Sequence, residues 1–445
     1  MRRPDAQARE ILALAVPALG ALVVEPLFLL TDTAIVGALG TDSLAGLGLA
    51  SAVLSTLVGL FVVLAYGTTA SVARRLGAGD RAGAIGVGLD GTWLALVAGL
   101  VVAAVGAASA PTVATVFGAA PGATDEAAVY LGISFLGIPA MLVVLAATGV
   151  LRGLQDTRTP LVVATVGFTC NALLSYLLTH GPGPLPGLGI AGSAWGTVVA
   201  QLLMATWLVA LVVRGAQRYA VPLRPHARGI RLAAVAGVPL LLRTVTLRVA
   251  LLVTTWVAAG TGGESLAAHQ VVFTVWTFGA FALDALAIAA QALTGRNLGA
   301  GDAAGARRTT RRMVRWGIGG GVVFGVLLAA GSPWLPALFS DDGTVRAAVT
   351  AGLLVVGLTA PLAGYVFVLD GVLIGAGDGR YLAVAGLWAL LGYLPLVAVV
   401  PLAGLTGTTG LVALWVAFAG GFMAARALTL GLRERSGRWL VLGSD

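Results

Sequence analysis

The sequence predicts an all-α polytopic membrane protein with twelve transmembrane helices in two homologous six-helix lobes. Three observations predict this class. Hydrophobic residues make up 58% of the 445 residues and charged residues only 10%, against roughly 25% charged residues in ordinary soluble domains. Twelve long apolar runs follow one another with short connections. The second half of the chain repeats features of the first at a constant spacing.

Each apolar run is bounded by glycine, proline or charged residues and is long enough for a bilayer-spanning helix, which needs about 20 apolar residues. The short connections leave no room for a sizeable extramembrane domain. The first run contains two acidic residues and lacks a clean cleavage site, so we interpret it as a retained helix. The twelve runs are 11–38, 43–73, 83–109, 127–150, 160–179, 189–213, 230–260, 265–295, 316–339, 347–374, 381–401 and 406–430.

The basic residues alternate between successive connections. All 27 are arginines, and cytoplasmic segments of membrane proteins are enriched in such residues. All but Arg243, Arg248 and Arg346 lie near the termini, Arg2 and Arg3 included, or at every second connection. This alternation predicts a multi-pass protein of the cytoplasmic membrane with both termini in the cytoplasm.

The residue inventory excludes several function classes. Without lysine the chain has no phosphate-binding loop of the P-loop type and no Schiff-base lysine. The three histidines are scattered and Cys170 is the single cysteine, so neither a zinc site nor a disulfide framework is expected. The arginine clusters between apolar runs are typical of membrane topology rather than of nucleic-acid binding. We therefore expect no cofactor, no metal and no enzyme.

One constant offset superposes most of the two halves without a gap, and we call it the repeat offset. It places Val16-Pro17 on Val238-Pro239 and Leu76–Asp80 on Leu298–Asp302. Six spans per repeat is an even number, so both repeats begin on the same side of the membrane. We therefore expect an N-terminal lobe over 1–222, with helices 1–6, and a C-terminal lobe over 223–445, with helices 7–12. A pseudo-two-fold axis along the membrane normal would relate them around a shared cavity.

Two acidic residues lie in the first span, where ionisable groups are costly and therefore candidates for function. Glu25 and Asp32 are seven residues apart and so lie near one helix face. Pro17 and Pro26 each remove a backbone hydrogen bond, which favours a bend. A buried carboxyl of this kind can take up a proton from one side and release it to the other, or it can simply pair with an arginine or cap a broken helix.

The second half carries both signs of charge within its spans. Arg243 and Arg248 lie in the seventh span, Asp284 in the eighth and Asp370 in the tenth. These residues form either one or two buried ion pairs or a second coupling or substrate site. In the fifth span, Asn171 is expected either to join two helices by hydrogen bonding or to line the cavity of the N-terminal lobe.

Three segments together resemble the multidrug and toxic compound extrusion (MATE) family, and within it the branch of DNA-damage-inducible protein F. They are the run Leu30–Gly37, the segment Leu151–Pro160, and Ala267–Gln270 with Leu283–Gln291. The resemblance implies a twelve-helix, two-lobed antiporter that exports organic, often cationic, compounds in exchange for protons or sodium ions.

The resemblance also implies roles for single residues. Asp32 matches the first-helix acid used for cation coupling, Pro17 a first-helix proline associated with bending, and Asn171 a polar position near that acid. Some relatives carry a further acid where this chain has Ser175. Relatives that bind sodium in the C-terminal lobe use an acid in the seventh helix, whereas this helix contains arginines. The first departure argues against a two-carboxylate site in the N-terminal lobe, and the second favours protons over sodium ions.

We therefore hypothesise a secondary active exporter of small organic, cationic or amphiphilic compounds, in which Asp32, Asn171 and Glu25 bind the coupling cation or the substrate. It would act as a monomer and alternate access between its lobes. One alternative is a flippase for lipid-linked saccharide precursors, which would need Arg243 and Arg248 in the cavity. An intramembrane enzyme is the other alternative, but the chain offers neither clustered acids for a metal nor a histidine beside a nucleophile.

Overall fold

The computed structural model describes residues 6–116, 118–181 and 186–443. Arg2 and Arg3 lie outside the described residues. In the described ranges, twelve helices are long and apolar enough to cross a bilayer, and no strand occurs. The expected all-α chain with twelve spans is confirmed. The helices are α1 (Ala6–Gly37), α2 (Thr41–Gly77), α3 (Arg81–Thr115), α4 (Pro121–Gly153), α5 (Arg158–His180), α6 (Ile190–Arg218), α7 (Ala227–Gly260), α8 (Gly263–Gly299), α9 (Ala303–Gly331), α10 (Gly343–Gly375), α11 (Gly379–Leu402) and α12 (Gly407–Ser436).

The repeated segments Leu76–Asp80 and Leu298–Asp302 form equivalent connections: in each, one helix ends and the next begins after a few residues. The carboxylate of Asp80 accepts a hydrogen bond from the Gly83 N–H at 2.7 Å, and that of Asp302 accepts one from the Gly305 N–H at 2.6 Å. Each aspartate therefore caps its helix, α3 or α9. The preceding glycines, at positions 79 and 301, have φ of +81° and +74°, a backbone conformation that favours glycine.

α4 and α10 are the most buried helices of their respective halves. α4 packs against α2, α3 and α6, and α10 packs against α8, α9 and α12. At Gly149 and Gly371 a Cβ atom would collide with the carbonyl oxygens of Ala65 and Ala287. Small residues of this kind let membrane helices approach closely. The repeat offset places Gly149 on Gly371 and Ala65 on Ala287, so the two halves share this close contact.

The chain divides into two compact units. One is Val16–Gly237, and the other combines Met1–Ala15 with Val238–Asp445. α1 and α7 each change unit along their length, and both changes lie next to a helix-internal proline, Pro17 or Pro239. α1 continues through Pro17 and Pro26 as one helix. Its first turns carry Glu10, which pairs with Arg296 at 2.6 Å within the second unit.

The ninth helix differs from its expected range of 316–339. α9 begins at Ala303 because Asp302 caps it, so the arginine-rich segment is its first turns rather than a loop. It ends at Gly331, and Leu335–Leu338 form a separate 3₁₀ turn with a proline near its start. Pro333 and Pro336 lack the backbone N–H that an uninterrupted α-helix would need there.

Candidate functional site

Asp32 lies near the C-terminal end of α1, and its side chain accepts two hydrogen bonds inside the Val16–Gly237 unit. The residue is 3% exposed. The hydroxyl of Tyr130, from α4, donates to Oδ2 at 2.8 Å. The hydroxyl of Ser193, from α6, donates to Oδ1. Each carboxylate oxygen therefore has its own hydroxyl donor, and the two donors come from different helices.

A second pair of hydrogen bonds joins α5 to α6 beside this carboxylate. The side-chain amide of Asn171 donates to the Thr197 hydroxyl at 3.0 Å, and the Ser175 hydroxyl donates to the Ser193 carbonyl at 3.3 Å. All of these residues are buried. Asn171 thus bonds to Thr197, and Ser193 connects its helix to Asp32.

We refer to Asp32, Tyr130, Asn171, Ser175, Ser193 and Thr197 as the Asp32 cluster. Asp32 is its single carboxyl group, and Ser175 contributes a hydroxyl. In the part of the chain that the structure describes, no group of three or more histidine, cysteine, aspartate or glutamate residues could hold a metal ion. The cluster therefore offers one carboxylate surrounded by hydroxyl and amide groups.

Glu25 lies outside the Asp32 cluster. It is exposed, whereas Asp32 is buried. Seven residues correspond to a rise of about 10 Å along a helix, so the two acids share a helix face but have different surroundings. Pro26 follows Glu25 within the same uninterrupted helix.

In the second half, two hydroxyl-bearing residues occupy the positions that correspond to the Asp32 carboxyl and the Asn171 amide of the first half. The repeat offset places Asp32 on Thr254 and Asn171 on Tyr393. The hydroxyl oxygens of Thr254 and Tyr393 are 2.6 Å apart, and both residues are buried. Because the Thr254 hydroxyl also donates to the Ala250 carbonyl at 2.7 Å, Tyr393 is the donor between them. The two repeat-equivalent positions of the second half are thus polar but uncharged, and they bond to each other, whereas Asp32 and Asn171 have other partners.

The buried acid of the second half is Asp370, which two arginines hold. Arg426 donates from Nη2 to Oδ1 at 2.6 Å, and Arg243 forms an ion pair with Oδ2. The side chains of all three are at most 12% exposed. The sequence does not single out Arg426, because its position near the C-terminus groups it with the terminal arginines, although the expected span 406–430 includes it. In the structure it lies in α12, just after a π-helical segment, Val416–Phe422.

Arg248 and Asp284, the other charged candidates of this half, take no part in the two ion pairs of Asp370. Arg248 is half-buried in α7 and makes no ion pair with any described residue. Asp284 is half-buried in α8. Asp378 accepts two hydrogen bonds from Arg433, at 2.6 and 3.1 Å, which adds a second link to α12.

Comparison with known proteins defines the class. A family model described as MatE matches residues 17–177 and, a second time, residues 239–399. Together with the twelve apolar helices in two six-helix repeats, this match defines a membrane transporter. The chain therefore belongs to the MATE family of multidrug and toxic compound extrusion transporters, which are not enzymes and need no cofactor. The repeat offset relates both ends of the second match to those of the first, which confirms the internal repeat.

Three relatives match almost the whole chain. "Protein DETOXIFICATION 44, chloroplastic" of Arabidopsis thaliana is 30% identical over 98% of this chain and 84% of its own length. "Probable multidrug resistance protein NorM" of Pseudomonas aeruginosa is 30% identical over 97% of this chain and 90% of its own. "DNA damage-inducible protein F" of Escherichia coli is 26% identical over 96% and 93%. These relatives do not support the flippase alternative.

A solved structure has the same fold. The crystal structure of a MATE protein in the bent conformation superposes with a TM-score of 0.87 at 19% sequence identity, over 98% of this chain and 97% of that one. At this level of identity the likeness concerns the fold alone. The fold class derived from the apolar runs and the repeat is thereby confirmed.

Proposed function

We propose that this transporter exports small organic, cationic or amphiphilic compounds in exchange for protons, and that Asp32 is the group at which proton and substrate compete. It would act as a monomer in the cytoplasmic membrane, with both termini in the cytoplasm. Its lobes, 1–222 and 223–445, would alternate access between the two sides. No covalent chemistry is involved, so the coupling depends on mutually exclusive occupancy of one carboxylate.

The observation that carries this proposal is the pair of hydroxyl donors on Asp32. In the ionised state Oδ1 and Oδ2 accept from Ser193 and Tyr130. A proton on either oxygen turns that atom into a donor, and the hydroxyl facing it can then rotate and accept instead. Hydroxyl groups can do both. Protonation therefore reorganises contacts that tie α1 to α4 and α6, which couples the charge of Asp32 to helix packing.

The same geometry supports a cationic substrate group. A cation that approaches Asp32 replaces one hydroxyl donor and is attracted by the carboxylate charge, whereas a proton cancels that charge. The two ligands cannot share the site because the cluster has one carboxyl group. Export then follows when protonation from the outer side releases the substrate cation.

Protons are favoured over sodium ions as the coupling ion. A sodium ion requires several oxygen ligands at once, but both oxygens of the one carboxylate already accept a hydrogen bond, from Tyr130 and from Ser193. Ser175 donates its proton to the Ser193 carbonyl, and Asn171 directs its amide nitrogen towards Thr197. A second carboxylate that would strengthen sodium binding is missing from the cluster.

Asp370 is a weaker candidate for the coupling acid. Its carboxylate oxygens are already occupied by the guanidinium groups of Arg243 and Arg426. Protonation there would leave two buried positive charges without a counter-ion, which is costly. The ion pairs of Asp370 with Arg243 and Arg426 are therefore assigned to holding the lobe together rather than to coupling.

The decisive experiment measures efflux of a fluorescent lipophilic cation from proteoliposomes under an imposed pH gradient or an imposed sodium gradient. We expect wild-type transport under the pH gradient alone, and its loss in Asp32→Asn. Thr254→Val is the matched control, because it changes the repeat-equivalent position without removing a charge. It should retain at least about half of the wild-type rate.

Two outcomes would overturn the assignment. Undiminished pH-driven efflux by Asp32→Asn would exclude Asp32 as the coupling acid. Efflux by wild type that follows the sodium gradient and ignores the pH gradient would exclude proton coupling. In each case, the folded state of the variant is checked by its elution volume and circular dichroism in detergent.

A further inference from the structure

The first turns of α9 present three arginines on one exposed face. Arg308, Arg311 and Arg315 are spaced by three and four residues, which places them on the same side of a helix. The Arg308 side chain is 66% exposed, and Arg311 and Arg315 are exposed as well. The opposite side of these turns is buried through Ala306, Thr309, Thr310 and Met313.

Neighbouring arginines of the same segment turn inwards and have protein partners. Arg312 donates to the side-chain oxygen of Gln7 at 3.0 Å. Arg307 packs against the backbone at Gly437. By contrast, the nearest acid to Arg308 is Asp302 at 3.7 Å, and Arg311 and Arg315 form no ion pair with any residue in the described ranges. Of the three arginines on this exposed face, only Arg308 therefore lies within ion-pair distance of an acid in the described ranges.

The exposed face continues along α9 as an apolar surface. Ile318, Val322 and Val326 follow Arg315 on this side and are 37%, 48% and 61% exposed. From Arg315 to Gly331 the helix rises about 24 Å, close to the hydrocarbon thickness of about 30 Å. This side of α9 thus suits contact with lipid chains, and the arginines lie where the chains give way to headgroups.

The arginine triad is a property of the second half and not of the repeat. The residues that the repeat offset places on the triad, all in α3, are Gly86, Leu89 and Trp93. None of them is charged, although α3 begins with the same aspartate cap as α9. A general requirement of the fold for charge at this helix start would appear in both halves.

We propose that Arg308, Arg311 and Arg315 form a binding site for the phosphate of an anionic phospholipid, whose chains pack along Ile318, Val322 and Val326. Guanidinium groups match phosphate oxygens in charge and in geometry. Basic residues at the membrane surface attract anionic lipids. The apolar continuation of the same face favours a lipid over a soluble phosphate compound, because it offers contact area for acyl chains.

The test is binding of phosphatidylglycerol and of phosphatidylcholine to the full-length protein in detergent, measured by native mass spectrometry. The triple variant Arg308→Gln/Arg311→Gln/Arg315→Gln should bind phosphatidylglycerol at least about tenfold more weakly than wild type. Its binding of phosphatidylcholine should not change. The matched control is Arg224→Gln/Arg228→Gln/Arg231→Gln, which removes the same charge from another exposed arginine group and should retain phosphatidylglycerol.

Three results would overturn the proposal. The α9 variant could retain phosphatidylglycerol, or both triple variants could lose it equally, which would indicate an effect of overall charge. Inorganic phosphate could also compete with phosphatidylglycerol at equal concentration, which would assign the site to a soluble anion. The assay needs no ion gradient, so its outcome is independent of the coupling mechanism proposed above. Circular dichroism spectra of both triple variants serve as the control for folding and should match that of the wild type.

Discussion

The hydroxyl of Tyr130 donates a hydrogen bond to Asp32 Oδ2 at 2.8 Å, although the two residues are 98 positions apart in the chain. Tyr130 is itself 3% exposed and lies near the start of α4, the most buried helix of the first half. The bond therefore links the candidate coupling acid to the best-anchored helix around it. A change in the charge of Asp32 would be felt directly at that helix.

Replacement of Tyr130 tests this link. In Tyr130→Phe the ionised Asp32 loses one of its two hydroxyl donors, and a hydrogen bond to a charged group contributes about 1.5–3 kcal/mol. We expect pH-driven efflux to fall by about tenfold, which corresponds to about 1.4 kcal/mol. Tyr176→Phe, at an exposed position of α5, serves as the control. Equal rates for the two variants would contradict the role of the Tyr130 hydroxyl.

The Asn171–Thr197 hydrogen bond is expected to stabilise the contact between α5 and α6. A double-mutant cycle with Asn171→Ala and Thr197→Val should give a coupling energy of about 0.6 kcal/mol, the average for such bonds in a membrane protein, and no more than about 1.7 kcal/mol. Unfolding in mixed micelles provides the measurement. The control cycle pairs Asn171→Ala with Thr169→Val, an exposed residue that bonds its own helix backbone. A coupling energy near zero in the first cycle would show that the bond contributes nothing.

Removal of Asp370 should destabilise the protein strongly. Asp370→Ala leaves the guanidinium groups of Arg243 and Arg426 buried without their acid, at a cost of about 3–5 kcal/mol for a broken buried pair. Arg426→Leu keeps the Arg243 pair and should cost less. For comparison, Asp378→Ala breaks the somewhat more exposed pair with Arg433, and we expect a smaller loss because it leaves one arginine rather than two without an acid. Equal unfolding free energies for the two aspartate variants would refute this difference.

Asp342 provides a prediction about pH. It lies outside the membrane-spanning helices and accepts hydrogen bonds from the Thr344 hydroxyl and from the N–H groups of Thr344 and Val345, which cap α10. These bonds, that of the Thr344 hydroxyl first, lower the pKa of Asp342 below its ordinary value of 3.8. Since the pKa is lower in the folded state, the stabilisation is present above pH 3.8 and is lost as the pH falls through the folded pKa.

The measurement compares thermal unfolding of wild type and Asp342→Ala between pH 7 and pH 3. We expect the variant to be less stable at pH 7, and the difference to narrow at the acidic end. Asp342→Asn keeps a capping oxygen without a titrating group, so it should be closer to wild type at pH 7. A difference that stays constant over the whole range would contradict the contribution of the ionised cap.

Much of the fold could be predicted because its causes are local in the chain. A bilayer imposes nearly the same apolar length on every span, so composition and run length were sufficient for the count of helices. The paired motifs ending in Asp80 and Asp302 were recognisable as a repeat because each encodes a glycine stop and an aspartate cap. The start of α9 was misjudged because its arginines interrupt the apolar pattern without interrupting the helix.

The candidate site was predictable only in part. Asp32 stands out because an acid within an apolar run is costly. Its donors do not stand out, since Tyr130 and Ser193 are ordinary residues of membrane helices, 98 and 161 positions away. Arg426 was likewise assigned to the terminal arginines, because counting charges along the chain cannot detect a partner on another helix.

The sequence by itself therefore determined the class, the twelve helices, the repeat and the few acids within the apolar spans, since these depend on apolar length and on residues close together in the chain. Only the tertiary structure decided the surroundings of the acids. Packing places hydroxyl donors on Asp32 and guanidinium groups on Asp370, although both are aspartates in apolar helices. Because the environment of a buried charge is made by residues from other helices, it decides whether that charge can bind and release a cation or is held in an ion pair.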